Sequence, residues 1–122
     1  MWLIETGSKT KEQIADDSTS WGNYNNATFE YVNSSGSTVT KNENSATKIP
    51  TGNTEYTKAN NIYDLAGNVY DWTMEAYSTS YRVYRGGDYY HNGGYNPADV
   101  RNDSIPTTSN NDSGCRSALY IK

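Results

Sequence analysis

"IYDLAGNVYDWTME", residues 62–75, is the densest apolar stretch of a chain otherwise rich in Asn, Ser, Thr and Gly. Gly67–Asn68 breaks it into two parts. The second part, "NVYDWTM", alternates apolar and polar residues at strand period. "AGN" supplies a tight turn in which Gly67 takes a positive φ, because glycine alone adopts it without a Cβ clash. Trp72 is expected to enter the core. Downstream, "YRVYR" (81–85) reads as a second short strand and "RSALYIK" (116–122) as a third. The long polar segment from 86 to 115 lies between them. Loops of that length inside a compact domain are usually functional or disordered.

Upstream, "ATFEYVNSSGSTVTK" (27–41) has the residues of a hairpin, with Phe29, Tyr31 and Val39 in strands and "NSSGS" as the turn. Residues 42–61, with the Pro50–Thr51–Gly52 turn, read as surface loop. Residues 18–26 also read as loop, with Trp21 turned inward as an anchor. Residues 2–16 read as a helix broken at Gly7–Ser8, the second part capped by Thr10 with Gln13 in capping-box position. Trp2, Leu3 and Ile4 resemble the middle of a buried segment directly behind Met1. The expectation is that the chain begins inside a larger parent domain.

With 122 residues the chain is the size of one domain, 1–122. Its hydrophobic content is 34%, below the roughly 45–50% of ordinary globular chains. Twelve Tyr and three Trp offset this, since each buries a large area. A small core of Trp, Tyr, Leu and Ile under long polar loops is expected. A pI near 4.8 argues against nucleic acid as a partner, which needs a basic face. The arginines Arg82, Arg85, Arg101 and Arg116 all lie late but make no basic patch. The single cysteine, Cys115, excludes an intrachain disulfide and a cysteine-based zinc site. No apolar run reaches the length of a membrane span, and no secretory signal is visible. The Asn-x-Ser/Thr sequons at Asn26, Asn33, Asn102 and Asn111 are expected by chance in such a composition.

"NNIYDLAGNVYDW" (60–72), "YRVYRGG" (81–87) and "GCRSALYIK" (114–122) together resemble the C-terminal half of the formylglycine-generating-enzyme-like family. That family typically reads Gly-Leu-Tyr-Asp-Met-Ala-Gly-Asn-Val-Trp-Glu-Trp, then Arg-Val-x-Arg-Gly-Gly-Ser, then Gly-Phe-Arg. The motifs cover about residues 60–122 in the family's order; the first sixty residues are similar only loosely. Family domains are usually longer, which implies a truncated or minimal form. The resemblance implies an α+β, C-type-lectin-like fold with small irregular antiparallel sheets, short helices and long polar loops.

The resemblance also bears on chemistry. Oxygen-dependent formylglycine generators use a cysteine pair whose positions fall here near His91 and Asn96, so a dithiol mechanism is absent. Cys115 stands where the family has the Phe of Gly-Phe-Arg. As a lone nucleophile it would need a base and a lowered pKa; the simpler reading is a small residue at a loop–strand junction. One histidine cannot supply an iron–histidine site. Family enzymes bind calcium around the Gly-Asn-Val turn, and the matching positions are Asp64, Gly67, Val69 and Asp71. Two carboxylates and two backbone carbonyls would suit that hard cation. Alternatively, Asp64 and Asp71 only cap turns.

The segment 88–115, "DYYHNGGYNPADVRNDSIPTTSNNDSGC", contains no Lys, Glu, Gln, Met or Trp, although the rest of the chain contains all five. Every residue in it can be encoded by a codon ending in a pyrimidine, as randomising the adenines of Asn codons would yield. Cys115 also fits, two adenine changes from Asn. This resembles the variable proteins of diversity-generating retroelements, with "RGG" and "RSALYIK" as fixed scaffold and Pro97, Ala98, Arg101 and Pro106 as fixed punctuation. Tyr, Ser, Asn and Gly are also the residues that enrich antibody paratopes. The candidate contact residues are Tyr90, His91, Tyr95, Asn96, Asp99, Asn102, Asp103, Asn110, Asn111 and Asp112. Tyr89 is the expected core exception, since it directly follows the RGG–Asp turn. The reading is a non-enzymatic ligand-binding protein, its partner a protein or glycan on a cell, carried on a phage particle or a bacterial surface. The alternatives are a formylglycine-generating-like enzyme or its inactive descendant, and a structural phage or surface domain. Exposed tyrosines would suit an oligomer contact as well.

Overall fold

A computed structural model describes residues 2–117. It opens with two short helices, α1 (Trp2–Glu5) and α2 (Lys11–Ala15), separated where Gly7 takes φ +69°. The Thr10 hydroxyl accepts from the Gln13 amide at 3.2 Å, and the Gln13 side chain accepts from the Thr10 amide at 3.0 Å. This is the expected capping box, which satisfies two otherwise orphaned donors. Leu3 and Ile14 turn inward, but Trp2 and Ile4 are exposed, against expectation. A single helical turn presents only one of three consecutive residues to the core. Trp21 is buried, with its indole N–H donating to the Gln13 carbonyl at 2.8 Å.

The expected hairpin forms from β1 (Phe29–Val32) and β2 (Thr38–Lys41), with Phe29 opposite Lys41. Its turn is organised by the Asn33 side chain, which accepts from the amides of Ser35 and Ser37. The stretch 42–61 is more than surface loop. Ile49, Thr57 and Ala59 are buried, a 3-10 turn covers Glu55–Thr57, and β3 (Lys58–Ala59) pairs with β4 (Ile62–Tyr63). Ile49 is held at long range. Its amide donates to the Asn68 side-chain oxygen at 3.0 Å, and the Asn68 amide donates to its carbonyl at 3.1 Å.

A four-stranded sheet carries the second half of the chain. β5 (Tyr70–Ala76) and β6 (Arg82–Arg85) pair antiparallel, β7 (Arg101–Ser104) adds antiparallel to β6, and β8 (Ser113–Gly114) adds parallel to β5. β7 and β8 lie in the segment read as one polar loop. Of the expected strand at 116–122, Arg116 and Ser117 are irregular and the remainder lies outside the described residues. Trp72 is half-buried rather than in the core, packed edge-on against Tyr84 at 5.2 Å. Tyr70, one pleat earlier on the same face, is buried, as is Val83.

The main core gathers Leu3, Ile14, Trp21, Tyr24, Phe29 and Ile49 with small alanines, drawn mostly from the first half of the chain. The turn at Gly67 joins the two halves: φ is +68°, and a Cβ there would overlap the Asn23 carbonyl. Small, mainly antiparallel sheets and few short helices make an α+β chain. Among the described residues no helix is long and apolar enough to cross a membrane.

Candidate ligand-binding face

The loop after β6 begins with two glycines that the backbone requires. Gly86 and Gly87 have φ of +101° and +76°, and a Cβ on Gly87 would overlap the Asn96 carbonyl and the Tyr24 ring. The Gly86 carbonyl accepts from the Gly67 amide at 2.7 Å and the Tyr24 hydroxyl at 3.0 Å, tying the "RGG" bend to the Gly67 turn. Asp88 then points inward and is fully buried. One of its oxygens lies 2.6 Å from Nδ1 of His91; the other is buried without a hydrogen bond. Burial raises the Asp88 pKa, while the bond to His91 pulls it back.

Beyond Asp88 the backbone is pinned, and the side chains of Tyr90, His91 and Tyr95 turn outward. The Tyr89 amide donates to the Asn68 carbonyl, the His91 carbonyl accepts from Asn25, and the Gly93 carbonyl accepts from Ser18. The Gly93 amide donates to the Asn26 side chain at 3.1 Å. Tyr89 is buried, the core exception expected of it, and its ring lies 4.3 Å from that of Tyr90. Tyr90 is 51% and Tyr95 80% exposed. His91, also exposed, lies nearly parallel to Tyr95 with centroids 6.4 Å apart.

The other candidate residues divide. Asn96 is buried, its amide donating to the Tyr70 hydroxyl at 2.6 Å, so it supports the face from beneath. Asp99 is half-buried, and its carbonyl accepts from Arg85. Asn102 and Asp103 sit half-buried on the edge strand β7, opposite Tyr84 and Val83. Asp112 is half-buried, and its carbonyl accepts from the Tyr70 amide at 2.7 Å. Asn110 and Asn111 are exposed and line a cleft of about 660 Å³ with Tyr31, Lys48 and Pro50. The walls of that cleft include none of Tyr90, His91 and Tyr95.

Sequence reasoning missed the floor on which these segments meet. Tyr70, Trp72 and Tyr84 form an aromatic row, with Tyr70 and Tyr84 4.8 Å apart. Burial raises the Tyr84 pKa, and Asp112, Asp103 and Asp88 add to it; Tyr70 is likewise raised by burial and then by Asp88. The signal was present: Tyr70 and Trp72 share a face at strand spacing, and Tyr84 is central in "YRVYR". Glu75 pairs with both Arg85 (2.9 Å) and Arg101 (2.8 Å), fastening β5, β6 and β7 together.

The four positions matched to calcium lie apart from this loop. Asp64, Val69 and Asp71 line a cavity of about 200 Å³ with Thr51, Cys115 and Arg116, whereas Gly67 faces Asn23. The Arg116 guanidinium donates to Asp71 Oδ2 at 3.1 Å, the Tyr63 carbonyl at 2.9 Å and the Asp64 carbonyl at 3.0 Å. The Asp64 carboxylate is buried and its pKa raised by desolvation. Thr57, Gly52 and Thr51 pull it partly back, yet neither oxygen has an aligned hydrogen bond. Among the described residues no three His, Cys, Asp or Glu side chains gather as a metal set. Calcium takes about six to eight oxygens. Here the Asp71 carboxylate is already taken by the fixed positive charge of Arg116, which also occupies the neighbouring Tyr63 and Asp64 carbonyls. As arranged, the residues do not fit that ion, and Asp71 serves as a partner for Arg116.

No curated protein and no solved structure matches the chain. Residues 6–121 match the family described as sulfatase-modifying factor enzyme 1-like domain. That match takes in most of the first sixty residues as well as the three motifs, and the chain belongs to this formylglycine-generating-enzyme-like family.

Proposed function

We propose that the chain is a non-enzymatic ligand-binding protein with a C-type-lectin-like fold. It displays a diversified C-terminal surface, as the variable proteins of diversity-generating retroelements do. The observation that carries this reading is the pair Tyr90 and Tyr95, at 51% and 80% exposed, beside His91 on a backbone bonded to Asn25, Ser18 and Asn68. Rigid presentation lowers the entropic cost of binding, and tyrosine brings a large contact area with few rotors. By the family resemblance the dithiol positions fall near His91 and Asn96, neither of which is cysteine, and Cys115 is the sole thiol in the chain. The proposed ligand is a protein or glycan on a cell, and the proposed location a phage particle or bacterial surface.

Two experiments test this. A near-copy of the coding segment for 88–115, differing only at adenines and beside a reverse-transcriptase gene, is expected in the source genome; its absence removes the diversification reading. In a cell-adsorption assay, the double variant Tyr90→Ala/Tyr95→Ala is expected to lose binding while melting like the wild type. Formylglycine production from a cysteine-containing sulfatase-type peptide would contradict the non-enzymatic reading.

A further inference from the structure

Two irregular loops in this molecule turn backbone carbonyls towards one point, and in both a side-chain cation fills that point. In the first, the Lys41 ammonium donates to the carbonyls of Tyr24 (2.7 Å), Ala27 (3.0 Å) and Asn25 (3.4 Å). Lys41 is buried, so this contact is internal. In the second, Arg116 meets the Tyr63 and Asp64 carbonyls and the Asp71 carboxylate. Carbonyls that converge in this way, together with a carboxylate, are the donor type that binds hard metal ions. A planar guanidinium with several fixed donors satisfies the same oxygens without dehydrating an ion.

We propose that Arg116 is the resident cation of the Asp64–Asp71 turn and that it fastens the C-terminal segment there without the help of a divalent metal. The placement accounts for two features at once. Asp64 takes φ +57°, a left-handed conformation that turns the backbone sharply just after the Tyr63 carbonyl. β8 is only two residues long and pairs parallel to β5, so it needs a further tether. Arg116 follows β8 by two positions and supplies that tether through three acceptors on two other elements. The far end of the displayed segment is therefore held without dependence on calcium.

Thermal unfolding of the wild type in millimolar calcium and in excess chelator tests this directly, together with a terbium titration read through tyrosine-sensitised emission. The wild-type midpoint is expected to be the same in both media, with no saturable terbium signal. Arg116→Gln is expected to lower the midpoint by about 5 °C. Arg116→Lys should recover only part of that, because an ammonium cannot span the three acceptors. A wild-type midpoint that rises with calcium and falls with chelator overturns the proposal, as does an Arg116→Gln or Arg116→Lys variant as stable as the wild type. If the Gln variant does not fold, the wild-type arms and the Lys variant still decide.

Discussion

Two buried charges have opposite standing at the residue scale. Lys41 is fully satisfied: burial pushes its pKa down to about 8, but carbonyls accept its protons and it stays charged at neutral pH. Lys41→Met leaves those carbonyls without donors and is expected to cost about 3 kcal/mol in urea unfolding. Asp64 is not satisfied, with both oxygens buried and no aligned partner. Its folded pKa is raised, chiefly by desolvation, so its ionised form weakens the fold near neutrality. Wild-type stability should therefore rise as pH falls through the raised Asp64 value, and the rise ends below the ordinary carboxylate range. Asp64→Asn keeps a residue that tolerates the left-handed backbone and removes the charge. It is expected to gain on the order of 1 kcal/mol at pH 7. It should also show a shallower pH slope, Asp88 retaining its own share.

Elements in this chain are fixed by turns more than by long periodic runs. Gly67 and Gly36 both have positive φ, but only at Gly67 would a Cβ meet another part of the backbone. Gly36→Ala should cost about 1 kcal/mol, the conformational cost alone. Gly67→Ala should cost clearly more and separate the two halves, which melting curves for the pair would read. The capping box, the hairpin and strands β5 and β6 were legible because local signals specify them: Thr10 with Gln13, "NSSGS", and alternation in "NVYDWTM". β7 was not, because "RNDS" has no apolar alternation and becomes a strand only by pairing with β6. Ile49 was missed for a similar reason, since its partner Asn68 is distant in sequence. The displayed loop was partly legible. Tyr89 followed from its place behind the RGG–Asp turn, whereas the burial of Asn96 depends on the Tyr70 hydroxyl across the sheet.

At the scale of the molecule, a core drawn mostly from the first half supports a four-stranded sheet, and the sheet supports a tyrosine-bearing loop. Substitutions at Tyr90 and Tyr95 should change stability by no more than about 0.5 kcal/mol, because neither side chain is buried. Asp88, Tyr89 and Asn96 lie beneath them and should not tolerate change. Exposed side chains and buried, constrained ones are thus interleaved within one short segment. Deep sequencing of codons 85–116 in a population of the source organism measures this directly. Substitutions are expected to concentrate at Tyr90, His91, Tyr95, Asn110 and Asn111, at adenine-derived bases, with Arg85–Gly87, Asp88 and Arg116 constant. Invariant codons throughout, or substitutions spread evenly over buried and exposed positions, would contradict it.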